Sequence, residues 1–293
     1  MKRLLVYCAM FFLLVSCTSD SNDTPIIPTD DSMDPPPLVD DARDTELEDL
    51  PKDIGGSHSA NRLGDSDANF GYYLYTPGNY VSTEGHYPLL VFLHGGGEVG
   101  NSQVSESDLL KVLQHGPPRL INQGEWNPAH PMLVASPQLS VNNWRAVEIH
   151  EFITFLIQNY RVNPRRIYLT GLSRGGYGTF NYVGDIGKES YVAAAIPICG
   201  GGTLSKADQF KNTPIWAFHG SNDNIVPLSN SINMINSINN QSPEVRAKLT
   251  IYPGVGHDSW TITYNGEGMG SESTSYDSFD TSIYDWFLSF KKN

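Results

Sequence analysis

The sequence predicts an α/β fold, with a mostly parallel central sheet and helices on both faces. Three observations predict it. Short, continuous apolar runs recur along the chain, the mark of strands buried on both faces. Between them lie stretches with apolar residues at helical spacing. One junction between a strand and a helix carries Gly171-Leu172-Ser173-Arg174-Gly175, a pattern tied to a sharp strand-to-helix turn. Strand and helix alternating in this way imply parallel strands with right-handed crossovers.

The strands are expected at 70–75 (Phe-Gly-Tyr-Tyr-Leu-Tyr), 88–93, 132–135, 167–169, 192–198, 215–218 and 249–252. The clearest helix spans 146–160, where Val147, Ile149, Phe152, Ile153, Leu156, Ile157 and Tyr160 fall on one periodic stripe. Further helices are expected at 107–114, 174–184, 228–239 and 279–290. In such sheets ligands bind beyond the carboxyl ends of the strands, so the chemistry should lie there.

The chain has 293 residues, 39% of them apolar and 11% aromatic, enough for a packed core. Its formal net charge is −13, which argues against nucleic acid as a partner. Most of that charge sits near the start. Residues 18–53 hold twelve acids against Arg43 and Lys52, together with Pro25, Pro28 and Pro35-Pro36-Pro37. With few large apolar side chains, 17–53 reads as a solvated, extended linker, an acidic interaction tail being the alternative, and 54–293 as one domain. Residues 1–16 read as a signal peptide: Lys2 and Arg3 precede an apolar run from Leu4 to Val15, too short to cross a bilayer well. The run ends Leu14-Val15-Ser16-Cys17, which resembles the lipobox of bacterial lipoproteins. That resemblance implies lipidation of Cys17 and a membrane contact through the lipid anchor only. It also implies an outer-membrane or cell-surface location in a Gram-negative bacterium. An ordinary secretory signal cut near the same place is the alternative. With Cys8 removed and Cys17 lipidated, Cys199 remains, at the end of a buried strand, and reads as a core thiol.

Ser173 is the expected nucleophile. The turn needs glycine on both sides, lifts Ser173 out of the sheet, and aims the N–H of Arg174 at any oxyanion. A carboxylate and then a histidine should follow it in the chain. Asp223 lies just past the strand 215–218, in His219-Gly220-Ser221-Asn222-Asp223, and is the expected acid. His257, flanked by Gly256 on a loop after the last strand, is the expected base. Asp258 is the competing acid, disfavoured because residues adjacent in sequence rarely face each other across a hydrogen bond. The strand 88–93 runs into His94-Gly95-Gly96-Gly97-Glu98, whose glycines let backbone N–H groups approach a substrate. The oxyanion donors are therefore expected from Gly96 and Arg174, with Gly95 as a further candidate. His94 and His219, both at strand ends, are expected to satisfy backbone groups. No histidine spacing suggests a metal, and no cofactor is expected.

These stretches, with His115-Gly116-Pro117-Pro118, Ser136-Pro137-Gln138 and Pro197-Ile198-Cys199-Gly200-Gly201-Gly202, resemble the α/β-hydrolase superfamily. Within it the chain is similar to the esterase-D, feruloyl and acetyl-xylan esterase branch (carbohydrate esterase family 1-like), which includes "predicted peptidases". The resemblance implies an acyl-serine mechanism on carboxylic esters. Two features depart from the pattern. Arg174 stands where relatives often have Met, and a polar loop at 264–278 follows the histidine, either shaping the entrance or doing nothing. Trp260 either lines the site or packs the loop; Gln138 is a candidate substrate contact; Trp144 is expected to cap the helix that follows it. Acetyl or feruloyl esters of plant polysaccharide are the expected substrates. A serine peptidase of the same fold and a non-catalytic surface binding lipoprotein are the rival readings.

Overall fold

The computed structural model describes residues 41–140 and 143–292. The signal-like segment, Cys17 and the linker up to residue 40 lie outside the described residues. Eight strands form one sheet: β1 (Ser57–Asn61), β2 (Gly71–Thr76), β3 (Tyr87–Leu93), β4 (Leu133–Gln138), β5 (Val162–Leu172), β6 (Ala194–Ile198), β7 (Trp216–Gly220) and β8 (Lys248–Tyr252). Their spatial order is β1-β2-β4-β3-β5-β6-β7-β8. The pairs β1–β2 and β2–β4 are antiparallel and the other five are parallel, so the sheet is mixed but mostly parallel.

Every residue of β3 is buried, as a strand covered on both faces requires. The covering helices are α1 (Gly116–Gln123), α2 (Ala146–Asn159), α3 (Arg174–Ile186) and α4 (Ser229–Asn239), with the short α5 (Trp260–Tyr264) and α6 (Ile283–Leu288). Helix α2 buries Ile149, Phe152, Ile153, Leu156 and Ile157 and leaves Glu151 exposed, as its periodicity predicts, but Val147, at the start of the stripe in the first turn, is exposed.

Three expectations are corrected. The stretch 107–114 lies in a 3-10 helix (Glu106–Gln114), and an α-helix begins after it at Gly116-Pro117-Pro118, where proline suits a first turn. Strand β1 has no counterpart among the expected elements. Its sequence is Ser-His-Ser-Ala-Asn, and as an edge strand it is mostly exposed, so no apolar pattern marks it. The linker also ends earlier than residue 53. Leu47 and Leu50 are buried in the main core. Asp44 pairs with Lys291 at 2.7 Å and Arg165 at 3.1 Å, and Glu46 reaches Lys291 at 3.0 Å and Arg166 at 3.3 Å. Burial pushes the Asp44 carboxyl up, but hydrogen bonds from Lys291 and Asn163 outweigh it and hold it below its ordinary value. The acids there are clamps onto the far end of the chain rather than a solvated run.

The loop 264–278 returns along β8. Ser273 N–H donates to Ile251 O (2.8 Å) and Asp277 N–H to Leu249 O (2.9 Å), while Asp277 Oδ2 accepts from Leu249 N–H (2.8 Å). Its first half, with Trp126 and α6, lines a cavity of about 440 Å³ at the far end of α5 from His257.

Candidate active site

Strand β5 ends at Leu172 and α3 begins at Arg174, leaving Ser173 alone to turn the chain. Its backbone sits at φ 52°, ψ −114°, where a side chain is strained, and its N–H is held by Ile198 O of β6 at 2.9 Å. The flanking glycines are there for space. A Cβ on Gly171 would lie 2.4 Å from Gly175 O, and one on Gly175 would lie 1.9 Å from Leu93 O. The turn therefore packs against the end of β3 and pushes the Ser173 hydroxyl out above the sheet.

His257 meets it there. His257 Nε2 lies 2.9 Å from Ser173 Oγ, and His257 Nδ1 lies 2.7 Å from Asp223 Oδ2. A carboxylate can only accept, so the ring proton is on Nδ1 and the Nε2 lone pair accepts from the serine hydroxyl. This is the arrangement that lets a serine lose its proton to an imidazole as it attacks.

Asp223 is held from several sides. Its Oδ1 accepts from the N–H groups of Ile225 and Val226, both at 2.9 Å. Its Oδ2 also lies 3.2 Å from Nε2 of His219, with that side chain and the carboxyl shielded from solvent. Burial pushes the Asp223 carboxyl up, yet His257 and the two backbone donors prevail and keep it below the ordinary carboxylate value. His219 Nε2 also faces Val226 O at 3.0 Å, so it carries the proton, and Nδ1 is 2.8 Å from Ser231 Oγ. Sequence reasoning gave His219 only backbone partners; its contact with Asp223, at i+4 across the loop, went unseen. Asp258 points elsewhere: Oδ1 accepts from Thr261 N–H and Oδ2 from the Thr261 hydroxyl, both at 3.0 Å, at the start of α5.

The loop Gly95–Gly97 leaves β3 beside the elbow. A Cβ on Gly95 would lie 2.7 Å from Leu172 Cδ1, and one on Gly96 would lie 3.2 Å from the Arg174 guanidinium. His94 anchors the loop from below. Its Nε2 accepts from Leu139 N–H (2.8 Å) and its Nδ1 donates to Gly95 O (2.7 Å); burial lowers its pKa to about 4, so the ring is neutral. Trp144 belongs to this support rather than to a helix cap. Its Nε1 donates to His94 O at 3.1 Å, and its ring packs edge-on against His94.

Two residues singled out as substrate contacts fare differently. Trp260 stands edge-on to the His257 ring, with centroids 5.1 Å apart, and its Nε1 donates to His115 Nδ1 at 3.4 Å. Gln138 is turned inward. Its Nε2 donates to the carbonyls of Glu98 and Asp108, which ties the loop after β3 to the 3-10 helix, so it is a brace and not a substrate contact. The open space at the serine is a pocket of about 450 Å³ lined by Trp144, Arg174, Tyr177 and Asn181. Glu98 is nearly fully buried; among the described residues its Oε2 has no hydrogen-bond partner.

Among the described residues, one set of three metal-ligating groups lies within 4.8 Å: Cys199, Asp223 and His257. The last two are bonded to each other, and burial pushes the Cys199 thiol up, keeping it protonated and inert.

A dienelactone hydrolase family model matches residues 125–278, which carry the elbow, Asp223 and His257. The chain belongs to the dienelactone hydrolase family. Its mostly parallel sheet with covering helices is the α/β-hydrolase fold of that family. A crystal structure described as a thermostable esterase is 28% identical, with a TM-score of 0.59 over 81% of this chain and 63% of that one. The feruloyl esterase module from Clostridium thermocellum shares the fold, at 18% identity and a TM-score of 0.53, covering 86% of this chain and 92% of that one. A bifunctional acetylxylan esterase/xylanase from Neocallimastix patriciarum is 27% identical over 78 residues, 27% of this chain and 11% of that protein. The chain thus spans less than two thirds of the esterase and a small part of the bifunctional enzyme.

Proposed function

We propose that the chain is a serine carboxylic-ester hydrolase working through an acyl-enzyme. The observation that carries this reading is the continuous hydrogen-bonded line Ser173–His257–Asp223, with Ser173 raised on a strained turn. Ser173 attacks the ester carbonyl as its proton passes to His257 Nε2. Asp223 holds the imidazole in the needed tautomer and stabilises the cation that forms. The N–H groups of Gly96 and Arg174, with Gly95 beside them, receive the oxyanion. His257 then protonates the leaving alcohol and activates the water that frees the acyl group.

The substrates are proposed to be acetylated or feruloylated plant polysaccharides or oligosaccharides. Relatives described as feruloyl and acetylxylan esterases support that choice. The lipobox-like segment ending at Cys17 supports action outside the cell, on an outer membrane or cell surface. The test pairs fluorophosphonate labelling with turnover of p-nitrophenyl acetate, methyl ferulate, acetylated xylan and a chromogenic peptide amide. Labelling and ester turnover that vanish in Ser173→Ala are expected. Labelling no faster than in that variant would refute the reading, and amide cleavage exceeding ester cleavage would assign a peptidase. Cys17→Ser is expected to release the protein from membranes; unchanged fractionation would refute lipidation.

A further inference from the structure

We infer that the pocket beside Ser173 selects esters carrying a carboxylate, with the Arg174 guanidinium as the selecting group. The inference rests on the ester-hydrolase reading and names the substrate class of that same site.

Four observations carry it. Arg174 lines the pocket next to the nucleophile, and its guanidinium lies against the Gly96 backbone, at the loop proposed to hold the oxyanion. Among the described residues, no Asp or Glu lies within ion-pair distance of it, whereas Arg62, Arg145, Arg165, Arg166 and Arg246 each meet an acid. In a chain of net charge −13, a guanidinium with no acid partner at the mouth of a site has its charge available for a ligand. The rest of the lining suits an anion as well: it includes Asn143, Tyr177 and Asn181 and no carboxylate. Tyr177 Oη accepts from Asn230 Nδ2 at 2.6 Å, which leaves the phenol proton to be donated. A planar fork of N–H donors, a phenol O–H and two amides, in a pocket of about 450 Å³, match a carboxylate on a small acid or sugar acid.

The experiment compares the full chain with Arg174→Met and Arg174→Lys on two matched ester pairs. One pair is p-nitrophenyl butyrate and mono-p-nitrophenyl succinate, which places the carboxylate on the acyl side. The other is an acetylated xylo-oligosaccharide without and with a uronic acid branch, which places it on the alcohol side. The quantity read is the ratio of kcat/KM for the anionic to the neutral ester, so a general loss of turnover cancels. The wild-type ratio is expected at about tenfold or more in one pair, from the strength of charge-assisted hydrogen bonds. It should fall towards one in Arg174→Met, be partly kept in Arg174→Lys, and shrink as ionic strength rises.

A wild-type ratio near one in both pairs, or a ratio unchanged in Arg174→Met, would overturn the inference. Neutral esters turned over by Ser173→Ala as fast as by the wild type would instead sink the ester-hydrolase reading. If no ester is turned over, calorimetric titration with succinate against succinamide reads the same pocket. Succinate binding that is lost in Arg174→Met would support the anion site, and no binding would overturn it.

Discussion

Replacing Asp223 by Asn tests the hydrogen-bonded line at its least accessible point. The side chain keeps its shape, and its surroundings dictate which way the amide turns. Two backbone N–H groups, from Ile225 and Val226, point at Oδ1 from 2.9 Å and need an acceptor, so the amide oxygen must stay there. The NH₂ group then occupies the Oδ2 position, 2.7 Å from His257 Nδ1 and 3.2 Å from His219 Nε2. Both of those nitrogens carry protons in the native arrangement. His257 can escape the clash only by moving its proton to Nε2, which leaves no lone pair for the Ser173 hydroxyl. In a comparable triad this change lowers kcat about 10⁴-fold, or about 5.5 kcal/mol of barrier. The assay is kcat and KM for p-nitrophenyl acetate, beside a circular dichroism melt. A loss under about tenfold in a folded Asp223→Asn protein would refute the tautomer argument. Asp258→Ala is the control: it removes two hydrogen bonds at the start of α5 and is expected to cost about 1 kcal/mol of stability while leaving the relay intact.

Further predictions concern stability. Burial lowers the pKa of His94 to about 4 from 6.5, so its neutral form contributes stability that is fully present above pH 6.5 and lost as pH falls through about 4. The loss amounts to about 3 kcal/mol at 1.36 kcal/mol per unit, with His58 adding in the same window; a flat urea midpoint between pH 7 and 4 would contradict it. Gly175→Ala is expected to cost more than about 2 kcal/mol, because its Cβ would sit 1.9 Å from a backbone oxygen; an unchanged melting temperature would show that the elbow has slack. Leu50→Ala is expected to cost about 2 kcal/mol, at the low end for a core leucine near the edge; no change in the urea midpoint would return 41–53 to the solvated linker.

The elbow was legible because its chemistry is local. Gly171, Ser173 and Gly175 are set by one turn, and the apolar runs on either side tell strand from helix. Asp223 and His257 were legible as positions after strand ends, since the parallel sheet gathers those ends on one side. What stayed hidden depended on partners far along the chain. Gln138 follows a strand end, as a substrate contact would, yet its amide is consumed by carbonyls 30 and 40 residues away. Trp144 precedes a helix, but its indole answers a carbonyl 50 residues earlier. The acids of 44–46 looked solvated because Arg165, Arg166 and Lys291, which neutralise them, are more than a hundred residues off. Strand β1 was invisible for the opposite reason: an edge strand of small polar residues makes no pattern at all.

The strap that returns along β8 has a consequence for assembly. A sheet edge is a template, and any extended chain that reaches it can add itself as the next strand. At β8 the template is already in use: Ser273 and Asp277 take up the carbonyls of Ile251 and Leu249, and a carboxylate occupies the Leu249 N–H. A foreign strand would have to peel away part of this molecule before it could bind. At the opposite margin β1 shows Ser57, Ser59 and Ala60 to solvent, which gives an incoming strand backbone groups but no row of large apolar side chains to settle on. One end of the sheet is therefore closed by occupancy and the other discouraged by polarity, which works against growth of the sheet by strand addition.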